Sequence, residues 1–129
     1  MPIAHNPSTI APPFGRYSHG IEVGPNARWL VVAGQVGVAP DGTTPEDPIG
    51  QNRQAWANLT AILEEAGMSR DDIVRINAYV TSTEGVAAFR DVRNEMVGDP
   101  PPASTLLVVQ ALAAPTWGVE IEVIAAKED

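Results

Sequence analysis

Apolar and polar residues follow two different periods along this chain, and each change of period marks an element. Val119 to Ala125 (VEIEVIA) repeats every two residues, with Val119, Ile121, Val123 and Ala125 on one side. Glu120, Glu122 and Ile124 fall on the other, so a strand here carries both carboxylates on one face. Ile73 to Thr81 (IVRINAYVT) repeats the pattern, with Ile76, Ala78 and Val80 opposite Arg75, Asn77 and Tyr79. Tyr17 to Val23 and Trp29 to Gln35 read as two more strands. The turn residues Gly24-Pro25-Asn26-Ala27 between them predict an antiparallel hairpin. Val36 to Val38 either extends the second of these or starts a short third. Thr105 to Leu112 is dense in Leu and Val, which suits a strand buried on both faces. A Pro-bearing turn joins it to the last strand.

Two segments change to a helical period. Asp47 is a good N-cap, and Pro48 fits the first helical position, where a missing N–H costs nothing. Ile49, Trp56, Leu59, Ile62, Leu63 and Ala66 then form an apolar stripe, and Gly67 supplies the stop. The second helix runs from about Thr83 to Val97, capped by Thr81 with Glu84 or by Ser82 alone. Val86, Phe89, Val92, Met96 and Val97 make its stripe, with Arg90, Asp91 and Arg93 facing water. Gly98 and the prolines after Asp99 end it. Residues 1–16, with Pro2, Pro7, Pro12 and Pro13, read as an extended arm without strand or helix signal. The predicted order is β-β-(β)-α-β-α-β-β, an α+β domain over residues 1–129 in which both helices cover one face of a mixed sheet. The other face is half apolar, and a second copy of the chain is its expected cover.

Composition narrows the function. With 129 residues, 44% hydrophobic and 19% charged, the chain suits a globular protein with one core. No apolar run approaches the ~20 residues that span a membrane, and the start lacks a secretory pattern, so no membrane partner and a cytoplasmic location are expected. The absence of cysteine excludes disulfides, thiolate metal sites and cysteine nucleophiles. The net charge of −8, with the basic residues scattered, argues against nucleic acid as a partner.

Familiar catalytic signatures (GxSxG, Walker loop, GxGxxG, HExxH) are missing, and no cofactor is expected. His5 and His19, the only imidazoles, form no ligand cluster, so no metal is expected. Glu120 and Glu122 suit a general base or a water-positioning carboxylate, or an ordinary solvated face. Ser104 and Thr105, delivered by the Pro-rich segment, suit hydrogen bonds to a small-molecule ligand. Neither has a base partner, which excludes a serine nucleophile. Tyr17 suits an aromatic wall and Arg16 a carboxylate clamp, though by residue type alone a surface ion pair suits Arg16 better. His19 reads as structural.

Several segments in order carry a resemblance: FGRYSHGIEV, VVAGQVGVAPDG, QNRQAWANLTAILEEAGMSRDDIVRINAYV, PPAST and VEIEVIAA. Through them the chain resembles the RidA/YjgF family of reactive-intermediate deaminases over nearly its whole length. The resemblance implies the chorismate-mutase-like α+β fold and a homotrimer with ligand clefts between subunits. It also implies hydrolysis of enamines or imines, such as 2-aminoacrylate, to a 2-oxo acid and ammonia. Glu120 matches the family's pocket glutamate, which positions water. Ser104 stands where deaminating members carry the arginine that holds the substrate carboxylate, a loss of roughly 2–5 kcal/mol of carboxylate binding. Arg16, where the family more often has Pro, is a candidate replacement beside Tyr17. Two readings follow: a deaminase of a different imine or enamine, or a binding or regulatory module that kept the cleft without the catalysis. Endoribonuclease action, known for some relatives, sits badly with the charge of −8.

Overall fold

Two periods of hydrophobicity become two layers. In chain order the elements are β1 (Ile3–His5), β2 (Gly20–Glu22), β3 (Arg28–Val36), α1 (Pro48–Glu65), β4 (Ile73–Val80), α2 (Thr83–Met96), β5 (Ala103–Val108) and β6 (Val119–Lys127). The structure, a computed structural model, describes residues 2–129. The main sheet has the order β3-β6-β4-β5, with β6 antiparallel to both its neighbours and β5 parallel to β4. It is a mixed sheet with two helices, the α+β architecture predicted.

Each helix starts and stops as its sequence dictates. The Asp47 side chain accepts from Gly50 N–H at 2.8 Å, Pro48 opens α1, and Gly67 follows it at φ +70°, a conformation that favours glycine. Ser82 alone caps α2, accepting from Gly85 N–H at 3.1 Å. Trp56, Leu59 and Leu63 of α1 and Phe89 and Val92 of α2 are fully buried against Ile76, Ala78, Val80, Val119, Ile121 and Val123. Burying each of the large side chains contributes roughly 1.5–3 kcal/mol. The alternation in β4 and β6 is as predicted: one face meets the helices, the other carries Arg75, Asn77, Tyr79, Glu120 and Glu122.

Four expectations are corrected. The N-terminal arm does contain a strand, β1, which pairs antiparallel with β2. The hairpin between Tyr17–Val23 and Trp29–Gln35 therefore does not form; β3 pairs with β6 instead. The reason lies just before β2, where Ser18 is tied to the start of β5 by its N–H to Pro102 C=O, 3.0 Å, and its Oγ to Pro101 C=O, 2.6 Å. The strand expected at Thr105–Leu112 is β5, ending at Val108, and it is not buried on both faces. As the outermost strand it leaves Leu107 and Val108 half exposed. Finally, Arg93 does not face water: it is 4% exposed. It sits four residues after Phe89 and four before Val97, on the buried side of α2.

Candidate functional site

Register decides which candidate residues meet. In the parallel β4–β5 pair, Ser104 aligns with Ile76 and Thr105 with Asn77. Ile76 belongs to the helix side and Asn77 to the uncovered side, so the adjacent Ser104 and Thr105 point to opposite faces of the sheet. The pair does not act as a single donor set.

On the helix side, Ser104 and Leu106 of β5, Arg90 and Arg93 of α2, and Phe14, Gly15 and Tyr17 of the arm enclose a cavity of about 170 Å³. The arm is fastened there by Ser18, which sequence reasoning passed over; an isolated serine gives no signal of such a role. The Tyr17 hydroxyl accepts from Phe14 N–H at 3.1 Å, and its ring meets His19 edge to face at 6.0 Å. His19 is tied into the arm: its N–H donates to Asn6 Oδ1 at 2.8 Å and its Nε2 to Ala11 C=O at 2.7 Å. Ser104 Oγ is buried with no hydrogen-bond partner among the described residues. Arg16 lies outside this cavity. Its guanidinium donates to the carbonyls of Val97 and Gly98, 3.3 and 3.0 Å away, at the C-terminal end of α2, where a cation is favoured.

The uncovered face holds a connected polar array. Tyr79 OH donates to Glu122 Oε1 at 2.8 Å, and Asn77 Nδ2 donates to the same oxygen at 3.3 Å. Arg75 Nε reaches Asn77 Oδ1 at 3.0 Å, and another nitrogen of its guanidinium reaches Thr105 Oγ1 at 3.0 Å. The hydrogen bond to Glu122 holds the Tyr79 hydroxyl above the ordinary tyrosine pKa; lost hydration and the charges of Glu122 and Glu120 add to it, against Arg75. Glu120 stands apart. Its carboxylate makes no hydrogen bond among the described residues and packs over Gly34, in the irregular stretch of β3 between Val32 and Gln35. A Cβ at Gly34 would lie 2.8 Å from Glu120 Cδ, so a larger residue there would make the carboxylate shift from this position.

The structure thus unites Tyr17 with Ser104, links Thr105 through Arg75 and Asn77 to Glu122, and leaves Glu120 free on the face opposite the cavity. Within one chain, Glu120 and the Tyr17–Ser104 cavity do not share a ligand. Among the described residues no group of His, Asp and Glu is placed to hold a metal, and no helix is long and apolar enough to cross a membrane.

Comparison with known proteins agrees with this architecture. A family model described as Endoribonuclease L-PSP matches residues 8–127. The chain is 40% identical over 114 residues to the RutC family protein YjgH of Escherichia coli, covering 85% of this chain and 82% of the other. It is 32% identical over 120 residues to a 2-iminobutanoate/2-iminopropanoate deaminase of Dermatophagoides farinae, covering 89% of each. Among solved structures, the Rid family protein YyfB of Yersinia pestis, of unknown function, superposes with a TM-score of 0.86 at 35% identity, covering 98% of both chains. The family match spans nearly the whole chain, and the fold and the order of the quoted segments agree with it: this protein belongs to the Rid (YjgF/RidA) family.

Proposed function

We propose that this chain is a cytoplasmic enzyme that hydrolyses a reactive enamine or imine to a carbonyl compound and ammonia, with a substrate other than 2-aminoacrylate. The observation that carries the reading is the Tyr17–Ser104 cavity, a space of about 170 Å³ lined by Tyr17, Ser104, Arg90 and Arg93 in a member of the Rid family. A relative named as an imine deaminase supports the reaction class. Because Glu120 lies on the opposite face of its own sheet, the site is completed by a neighbouring subunit that brings its Glu120 to the cavity. A homotrimer is the assembly proposed. Its support is the apolar side of the uncovered face, where Val31 is 76% and Leu107 50% exposed.

The chemistry needs a positioned water and a held substrate. Glu120 accepts a hydrogen bond from water and aims its oxygen at the C=N carbon. As the C–O bond forms, Glu120 takes one proton from the water and the π pair moves to nitrogen, which receives that proton in turn. The resulting carbinolamine loses ammonia and leaves a carbonyl group, so one imine and one water give one carbonyl compound and one ammonia. Tyr17 and Ser104 hold the substrate, and Thr105 stiffens the strand through Arg75.

Ser104, in place of the family arginine, favours a second reading: a small-molecule-binding or regulatory member without turnover. Ammonia release from a panel of imines, with an active relative as control, separates the two. Turnover above the uncatalysed rate is expected; saturable binding without turnover would establish the second reading. Light scattering should give three times the chain mass of 13.7 kDa, and a stable monomer would remove the shared cleft.

A further inference from the structure

Most of the chain's arginines are matched to partners. Arg53 forks onto Glu95 at 2.8 and 3.2 Å. Arg28 meets Asp129 and the Ala66 and Gly67 carbonyls. Arg75 meets Asn77 and Thr105, and Arg16 meets the carbonyls at the end of α2.

Arg93 differs. It is 4% exposed, no carboxylate reaches it among the described residues, and its hydrogen bonds are long ones, 3.3 and 3.4 Å, to the Asn94 side-chain oxygen. The Phe89 ring lies under it at 5.5 Å. A guanidinium keeps its charge at any physiological pH, and burying a cation without a counter-charge costs stability. Lost hydration, then the like charge of Arg90, push its pKa down. The surroundings sharpen the mismatch. Arg90, one turn earlier, lines the same cavity, and so does Ser104 with its buried, unpartnered hydroxyl. No Asp or Glu lines this cavity, although the chain has 16 acidic residues against 8 basic ones. Two cations with no carboxylate beside them describe a space shaped for an anion.

We propose that Arg93, with Arg90, forms a carboxylate-binding subsite at the helix side of the Tyr17 cavity. The cation comes from α2 and not from the strand segment where Ser104 stands. This rests on the cavity being the substrate's, as proposed above, and names the substrate class: an imine or enamine bearing a carboxylate. A planar carboxylate suits the guanidinium fork, and a cavity of about 170 Å³ leaves space for only a short chain beyond it. Held from another wall, the acid presents its reacting carbon in a different orientation, which changes the acids that fit.

The test is a protein-observed NMR titration of the purified full chain with 2-oxobutanoate and its neutral isostere, 2-oxobutanamide. The wild type should bind the acid at least roughly tenfold more tightly than the amide, as a charge-assisted contact requires. Arg93→Gln should abolish that preference, and Arg93→Lys, which keeps the charge but loses the fork, should weaken the acid by about tenfold. Arg93→Lys remains readable if Arg93→Gln fails to fold, and Arg53→Ala, on the far surface pair, should change nothing. Equal affinity for acid and amide, no binding of the acid, or an Arg93→Lys protein that binds it as the wild type does would overturn the proposal. The deaminase reading fails separately. Arg93-dependent binding without turnover of any imine sinks the enzyme and keeps the subsite, whereas turnover indifferent to Arg93 does the reverse.

Discussion

The two faces of the sheet treat charge in opposite ways. On the uncovered face, Glu122 is the hub of an array in which Tyr79, Asn77, Arg75 and Thr105 satisfy one another. On the helix side, Arg93 and Ser104 Oγ are buried without the partners their chemistry calls for. A satisfied network rigidifies a structure and leaves little capacity for a ligand. An unsatisfied one costs stability until something binds, so it marks a site more reliably than charge alone. Glu120 shares a face with Glu122 but stands outside its array: half-buried, it packs over Gly34 and makes no hydrogen bond among the described residues.

That contrast is sharpest between the neighbouring carboxylates. Glu120→Gln should lower imine turnover by roughly 10²–10⁴-fold, the usual contribution of a positioned general base. Glu122→Gln should keep turnover near the wild-type value while lowering the melting temperature, because it disturbs structure and not chemistry. Equal losses of turnover would mean that the reacting end of the site is misplaced along β6.

A smaller effect tests the wall of the cavity. Ser18→Ala removes the hydroxyl that holds the arm to the Pro101 carbonyl and leaves that part-buried acceptor bare. Denaturant unfolding should show a loss of about 1–3 kcal/mol. An unchanged midpoint would mean that the arm is fastened elsewhere.

The smallest effect concerns pH. The Tyr79 hydroxyl is raised above its ordinary 10.0, chiefly by donating to Glu122. A group raised on folding contributes stability that is complete below its unfolded pKa and lost as pH climbs through the folded one. Tyr79→Phe should therefore be less stable than the wild type near neutrality and show a shallower alkaline fall in melting temperature. Parallel melting curves above pH ~10 would count against the hydrogen bond to Glu122.

Much of this was legible in the sequence where one element has one dry face. The alternation in β4 and β6 and the Asp47-Pro48 start and Gly67 stop of α1 depend on local spacing, and the structure reproduces them. The pairing of β1 with β2 depends on a distant tie through Ser18, which no local pattern records. Of the site, Tyr17 and Ser104 line one cavity, while the period of two carries Thr105 to the other face of the sheet. Arg16, for which residue type favours a surface ion pair over a ligand clamp, reaches instead the carbonyls that follow α2. Arg93 escapes a reading in which charge implies exposure, since it is buried on α2. The spacing from Phe89 to Val97, with position 93 midway on the same helical face, was signal enough to find it.

If one subunit supplies Glu120 and another the Tyr17–Ser104 cavity, two different inactive subunits restore each other when mixed. Glu120→Gln and Tyr17→Ala proteins, each inactive alone, are unfolded together in equal amounts and refolded, and imine turnover is measured per subunit. In randomly mixed trimers roughly one cleft in four pairs an intact glutamate with an intact cavity, so activity should return to about a quarter of the wild-type value. A mixture as inactive as its components, in trimers shown to have exchanged, would contradict a shared site.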